Sequence, residues 1–289
     1  MNISNWLEQN TESLKGKTVA ITGSTGGLGK EICKYLALLS ANLILLDRNR
    51  TKSENLGRIL TEMYPEISVK YVTLDLTDID SVKVVCDILK NLNIDVLILN
   101  AGAYNITRYK CSTGYDNIFQ INFISQYYLC QRLLSESAGK TYKVIAVNSI
   151  AHLISKINTK DPQLLSCRNS EKVYGNAKRF MLYALFDLFK NNDFNLSVVH
   201  PGITYTNMMT NYPKFISSII KYPMKKLFIS PSTAALCVIK GIFTKCNNLE
   251  WIGPAFLGIW GLPRKSKLKE VSSDEEKCIL QFTSEVVKL

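Results

Sequence analysis

Short apolar, β-branched runs alternate along the chain with longer stretches in which apolar positions recur every three or four residues. The runs at 18–22, 43–47, 68–74, 95–99, 142–148, 195–200 and 249–252 predict strands. Leu43-Ile44-Leu45-Leu46, Asp95-Val96-Leu97-Ile98-Leu99 and Lys143-Val144-Ile145-Ala146-Val147 are almost unbroken in apolar residues, as in a parallel sheet covered on both faces. Helices are predicted over 28–39, 52–63, 78–91, 114–137, 170–190, 232–244 and 273–287. This β–α repetition implies right-handed crossovers and an α/β fold built on a doubly wound parallel sheet. Ligands of such sheets sit at the carboxyl ends of the strands. The turn at 23–29, Asp47, Asp75, Asn100–Gly102, Ser149 and Pro201–Gly202 all fall at such ends.

The first of those ends is the richest. Val19–Thr22 runs into Gly23-Ser24-Thr25-Gly26-Gly27-Leu28-Gly29, and a helical stretch opens at about Leu28. Glycine costs chain entropy, so four glycines in seven residues imply a use for the bare backbone. Unpaired N–H groups at a helix start carry partial positive charge, and a phosphate docks there. The spacing is Thr-Gly-x-x-x-Gly-x-Gly, which is not the G-x-G-x-x-G fingerprint. Nor is it a P-loop: Ser24 stands where that motif needs its first Gly, and Glu31 follows Lys30 where Ser or Thr is needed.

Composition narrows the frame. A chain of 289 residues, 46% hydrophobic, without repeats or a Ser/Gly/Pro-rich linker, reads as a single domain. Eight cysteines lie scattered with no C-x-x-C pair. The start, Met-Asn-Ile-Ser-Asn-Trp-Leu-Glu-Gln-Asn, lacks the basic and apolar regions of a signal peptide, and no uncharged apolar run reaches the ~20 residues of a membrane span. These features lead us to expect a cytoplasmic protein. Two histidines and dispersed cysteines argue against a metal site. The net charge of +11 is spread along the chain rather than focused, so a solvated basic surface is preferred to a nucleic-acid partner.

Candidate chemistry lies at the remaining strand ends. Asp47, roughly 20 residues after the loop, can accept from adenosine ribose hydroxyls and would repel a 2′-phosphate. Arg48 pulls the other way, since guanidinium binds phosphate well. On balance the pair favours NAD, with NADP as the alternative. Asp75 can accept from an adenine amino group, or serve as a turn or cap residue. Tyr174 and Lys178 are four apart on an apolar helix and share a face. A phenol has a pKa near ~10; a neighbouring ammonium lowers it and makes Tyr174 a general acid or base. Ser149 can donate to a carbonyl or alkoxide oxygen. His152 lies three residues beyond it without a nucleophile elbow, and reads as a loop histidine. Asn122 interrupts an apolar helix and needs partners if buried.

Taken in order, Thr22–Gly29, Asp75, Asn100-Ala101-Gly102, Asn122, Ser149, Tyr174-x-x-x-Lys178 and Pro201-Gly202 with Thr206 resemble the short-chain dehydrogenase/reductase family over residues 16–263. Asn148-Ser149-Ile150-Ala151-His152, the long interval from Ser149 to Tyr174, and His200-Pro201-Gly202 are similar to its retinol-dehydrogenase-like branch. The resemblance implies a Rossmann-like sheet and an NAD(P)-dependent oxidoreductase interconverting an alcohol and a carbonyl. It implies a catalytic tetrad of Asn122, Ser149, Tyr174 and Lys178, in which Tyr174 exchanges the proton and Lys178 lowers its pKa and holds the nicotinamide ribose. Ser149 then positions the carbonyl, and Asn122 supports a water relay. The implied cofactor contacts are Thr22, Gly23, Ser24, Thr25, Gly27, Leu28, Gly29, Asp47, Arg48, Asp75, Leu76, Asn100, Ala101, Gly102, Tyr174, Lys178, Pro201, Gly202, Thr204 and Thr206. Leu99 and Ala177 depart from common family residues without removing a reactive group.

The expected organisation is an N-terminal extension (1–16), a cofactor-binding domain (17–263) with a substrate lid at 205–230, and a C-terminal helical tail (264–289). The lid, with Phe256, Leu257 and Trp260, points to an apolar small-molecule substrate. Its lysines also fit a peripheral membrane helix, which we favour less. By analogy with the family we expect a homo-oligomer built on the helices at 114–137 and 170–190. The rival readings are a dinucleotide-binding sensor or scaffold without turnover, and a serine hydrolase.

Overall fold

The computed structural model describes residues 2–136, 142–190, 195–204 and 228–289. Eight strands form one sheet: β1 (Thr18–Thr22), β2 (Asn42–Asp47), β3 (Val69–Thr73), β4 (Val96–Leu99), β5 (Lys143–Val147), β6 (Asn195–Val199), β7 (Glu250–Phe256) and β8 (Trp260–Lys267). Their order is β3-β2-β1-β4-β5-β6-β7-β8. All neighbours pair in parallel except β7 and β8, which form an antiparallel hairpin. The order reverses between β1 and β4, and the crevice of a doubly wound sheet opens at such a reversal.

Because side chains alternate along a strand, the apolar runs feed two cores. Leu97 and Leu99 of β4, with Val144 and Ala146 of β5, enter one core. Val96, Ile98, Ile145 and Val147 enter the other. On the first face lie α4 (Ile79–Leu89), α6 (Ser125–Ser135) and α7 (Ser170–Phe189); on the second lies α2 (Gly27–Leu38). The helix expected at 114–137 is broken: a short α5 (Asn117–Phe119) passes through a π-helical turn (Gln120–Ile124) into α6. Asn122 sits in that turn. The helices α3 (Arg50–Met63) and α8 (Pro231–Phe243) complete the layers around the sheet.

Three features go beyond the sequence reading. The segment 1–16 holds α1 (Ile3–Asn10), capped by Asn2, and it buries Trp6 and Leu7 in the second core. The boundary placed at 263/264 falls inside β8, so residues 264–267 are strand rather than helical tail. Pro263 and a run of basic residues obscured that strand; an edge position tolerates both. The tail does contain α9 (Ser273–Val286), which packs on α7 through Ile279, Phe282 and Val286. Phe282 stands 5.4 Å from Phe119 and 5.5 Å from Phe180, ring centre to ring centre. The chain's own last helix therefore covers part of the helical face expected to meet another subunit. No described helix is long and apolar enough to cross a membrane.

Candidate active site

The glycine loop is held from below by the end of β4. Thr22 Oγ1 accepts from the N–H groups of Asn100 and Ala101, both at 3.0 Å. Asn100 Nδ2 donates to the carbonyls of Thr22 and Gly23, again at 3.0 Å. Gly23 has φ +68°, and a Cβ there would come within 2.9 Å of Ala101 Cα. A Cβ at Gly29 would strike the Gly23 carbonyl oxygen. Helix α2 starts from Gly26 without a capping side chain, whereas Asn2, Asn49, Asp78, Asn169, Ser230 and Ser272 cap α1, α3, α4, α7, α8 and α9. A bare helix N-terminus over a glycine loop, at the sheet's reversal, fits the pyrophosphate of a dinucleotide.

Other predicted cofactor residues lie around this cradle. Arg48 is exposed at the end of β2. Asp75 Oδ1 accepts from Thr77 N–H (2.9 Å) and Oγ1 (2.7 Å), making the turn its alternative reading described. Leu76 is buried, and its carbonyl accepts from Ser125 Oγ at 2.7 Å. Asp47 differs most from expectation: its carboxylate turns into the glycine loop and is 5% exposed. It accepts from Ser24 Oγ, Thr25 N–H, Thr25 Oγ1 and Ser53 Oγ. The preference for NAD drawn from Asp47 has no support in this geometry.

The four residues of the expected tetrad meet at the ends of β4 and β5. Lys178 is buried and donates from Nζ to the Val147 carbonyl at 2.9 Å. Burial pulls its pKa down to about 8. Asn148, a support not singled out from the sequence, ties α7 to the serine turn: Nδ2 donates to the Lys178 carbonyl (3.0 Å) and Oδ1 accepts from Ser149 N–H (2.7 Å). Ser149 caps the 3-10 turn Ile150–Ile154, and its hydroxyl acts on the Tyr174 phenol. Tyr174 stands edge-on to Tyr104, with ring centres 5.1 Å apart.

Burial pushes the Tyr174 phenol up to about 12, against the pull of Ser149. Lys178 Nζ stands 5.8 Å from the centre of the Tyr174 ring. The expected lowering of Tyr174 by Lys178 is thus overturned by desolvation. Asn122 Oδ1 accepts from Ala103 N–H (3.2 Å), and Nδ2 donates to the Ala103 and Ile118 carbonyls (both 2.8 Å). It pins the Asn100–Ala103 bend; Gln126, not singled out from the sequence, donates to the Ala101 carbonyl at 2.9 Å. A Cβ on Gly102 would lie 2.9 Å from Asn122 Oδ1 and 3.7 Å from Lys178 Nζ, so both groups converge on that glycine.

The turn that follows Ser149 is braced from far along the chain. Glu275 of α9 accepts from Arg179 through both oxygens (2.9 and 2.7 Å) and from Ile157 N–H (2.9 Å). Arg179 also donates to the His152 carbonyl at 3.3 Å. His152 is buried rather than looped out. Its Nδ1 bonds the Ser149 carbonyl, and its ring meets Trp251 edge-on. His200 stacks on the same indole, and its Nε2 bonds the Gly258 carbonyl at 2.9 Å. Pro201 and Gly202 follow, the latter at φ +84°. Thr204, just before the expected lid, pairs with Ile229 near the lid's far end. Thr206 and lid residues 205–227 lie outside the described residues. Among the described residues no cluster of His, Cys, Asp or Glu is fit to hold a metal ion.

Comparison with known proteins places this architecture. The family model described as short chain dehydrogenase matches residues 17–160. A short chain dehydrogenase of Aspergillus nomiae is 34% identical over 152 residues, 48% of this chain and 41% of that protein. Mouse retinol dehydrogenase 12 is 29% identical over 206 residues, 68% of this chain and 65% of the relative. The chain thus matches less than two thirds of the length of either relative. An uncharacterized protein from Mycobacterium paratuberculosis shares the fold with a TM-score of 0.75 at 24% identity, covering 97% of this chain and 96% of the other. The chain belongs to the short-chain dehydrogenase/reductase family, and a retinol dehydrogenase is among the proteins it resembles.

Proposed function

We propose that the protein is an NAD(P)-dependent oxidoreductase that interconverts an alcohol and a ketone or aldehyde. One observation carries this reading: Ser149, Tyr174, Lys178 and Asn122 gather beside an uncapped helix N-terminus over a glycine loop. The loop residues Gly23–Gly29 would hold the pyrophosphate, and Asn100–Gly102 the adenosine side. When bound, the nicotinamide supplies or accepts the hydride.

The chain's own residues handle the oxygen and its proton. The Ser149 hydroxyl acts on the Tyr174 phenol and pulls against its raised pKa, so the two hydroxyls are near enough for one substrate oxygen to sit against both. With its pKa raised by burial, Tyr174 holds its proton at neutral pH and is ready to give it to a forming alkoxide. Ser149 donates to the same oxygen and stabilises charge as it develops. Lys178, fixed on the Val147 carbonyl, is placed to hold a ribose hydroxyl. Asn122 keeps the Asn100–Ala103 bend in place for the cofactor and borders the route to Lys178.

The substrate reading is an apolar alcohol or carbonyl. Leu153 (63% exposed), Ile154 (88%), Phe256 (63%) and Leu257 (74%) are more exposed than any other large apolar residue among those described. All four lie on the two segments that meet where Gly258 approaches Ile150. The name of the similar retinol dehydrogenase agrees with a substrate of this kind. All eight cysteines are free, in keeping with a reducing cytoplasm. The test is titration with NADH and NADPH followed by a panel of aldehydes and ketones, on wild type and Tyr174→Phe. The variant should bind cofactor as wild type does and lose turnover by about 10²–10⁴-fold. Equal turnover in both proteins would sink the proposal.

A further inference from the structure

An acidic residue at the end of the second strand is positioned to read the adenosine ribose, and Asp47 stands there. Its environment assigns it another task. Oδ1 accepts from Thr25 N–H at 3.1 Å and from Thr25 Oγ1 at 3.0 Å. Oδ2 accepts from Ser53 Oγ at 2.8 Å and from Ser24 Oγ. A carboxylate has about four lone-pair positions, so all of them are in use. Ser24 and Ser53 are as buried as Asp47 itself, at 0% and 2% exposure. Ser24 and Thr25 are the two residues between Gly23 and Gly26, so their anchoring fixes the path of the loop. The main chain of Asp47 is fixed too: it pairs with Thr73, and its carbonyl accepts from Leu74 N–H at 3.1 Å.

We propose that Asp47 is a positioning residue that clamps the glycine loop, and that it does not select NADH over NADPH. The inference rests on the dinucleotide reading above and deepens it. A ribose reader and a loop clamp make opposite forecasts. The two cofactors differ at the 2′ position and share the pyrophosphate. Loss of a reader weakens NADH and spares or improves NADPH, because a repulsive charge goes with it. Loss of a clamp weakens both by the same factor, because the pyrophosphate loop loosens. Hydrogen bonds to a charged acceptor are the stronger kind, so the clamp's loss is felt at the loop.

The experiment uses the full chain and measures dissociation constants of NADH and NADPH by nicotinamide fluorescence, with thermal melting recorded alongside. Asp47→Ala should raise both constants about tenfold or more, with their ratio within about twofold of wild type. Asp47→Asn should recover most of the affinity for both. Its amide oxygen still accepts from Thr25, and the Ser24 and Ser53 hydroxyls can turn to accept from its NH₂. Ser53→Ala, which removes one bond of the clamp, serves if the alanine variant at 47 does not fold; it should weaken both cofactors about two- to fivefold. Selective loss of NADH binding in any variant overturns the clamp while leaving the dinucleotide site intact. Unchanged constants with only a lower melting temperature also overturn it, since that is what a purely structural acid would give. Failure of the wild type to bind either cofactor removes the dinucleotide reading and this inference together.

Discussion

The two halves of the proposed site are held in different ways. On the cofactor side, Thr22, Ser24, Thr25, Asp47 and Asn100 hold one another through hydrogen bonds at the ends of adjacent strands, within or next to the motifs themselves. On the substrate side, the serine turn is fixed by Arg179 and Glu275, 96 positions apart, and His200 reaches Gly258 across 58. A cofactor common to a family can be met by a self-contained cradle. A substrate wall built from the end of the chain can vary without disturbing that cradle. The difference predicts that damage to one half should leave the other's readout intact.

The sharpest way to break this comparison is Glu275→Ala. Both Glu275 oxygens bind Arg179, and the pair is only 13% and 12% exposed. Removing one partner of such a pair leaves a poorly solvated charge and typically costs about 3–5 kcal/mol. It also frees Ile157 N–H, and with it the segment that follows Ser149. The expected result is a large fall in chemical-denaturation stability and in kcat, with NADPH dissociation within about twofold of wild type. If cofactor affinity falls in step with kcat, the halves are one unit and the comparison fails.

Acid should next find the substrate side first. Burial pushes His200 down to about 4 from its ordinary 6.5, with the neighbouring His152 adding to the effect. The unfolded chain therefore binds a proton that the folded chain refuses between about pH 6.5 and 4. Stability is full above the unfolded value and falls as pH drops through that window, by on the order of 3 kcal/mol in all. Urea unfolding of wild type and His200→Asn at several pH values isolates this contribution. A pH dependence that is the same in both proteins would remove His200 from the account.

Thr22→Val probes the cofactor half with a smaller effect. The change keeps volume but removes the acceptor for two N–H groups, Asn100 and Ala101. An orphaned donor costs about 1–3 kcal/mol. Cofactor affinity should weaken with stability, while the pH dependence assigned to His200 persists. A variant that keeps full affinity would show the cradle to be held elsewhere.

The same contrast explains what was legible in the sequence. Val96–Leu99 and Val144–Val147 announce buried strands because every position is apolar and both faces are covered. The glycine loop announces itself because its backbone demands are local: φ at Gly23 and the close approach at Gly29. β8 was hidden because an edge strand carrying Pro263, Arg264 and Lys265 has no such pattern. The position of Asp47 was readable from spacing; the direction of its carboxylate was not, since that depends on Ser53 in the next helix. The Arg179–Glu275 brace was invisible because nothing in either segment names the other. The deepening of Tyr174's acidity by Lys178 was misread for a related reason. Spacing fixes a shared helix face, while burial sets how much of a proton's charge that face will bear.

Lys178 supplies the smallest expected effect and joins the two halves. Its ammonium touches the Val147 carbonyl at the end of β5 and stands near Gly102 at the end of β4. Desolvation brings its pKa down to about 8, so the charged form prevails below that pH and is lost above it. If the charge holds a cofactor hydroxyl, kcat/KM should be level from about pH 6 to 7.5. It should then fall by roughly tenfold from its plateau to pH 9, as titration of a single group requires. NADPH affinity should fall over the same range, which the substrate wall alone would not produce. Lys178→Arg keeps its charge at every pH in question. Whatever its absolute rate, it should lose the fall above pH 8. A profile that stays level to pH 10 in wild type would mean that the charge of Lys178 serves neither half.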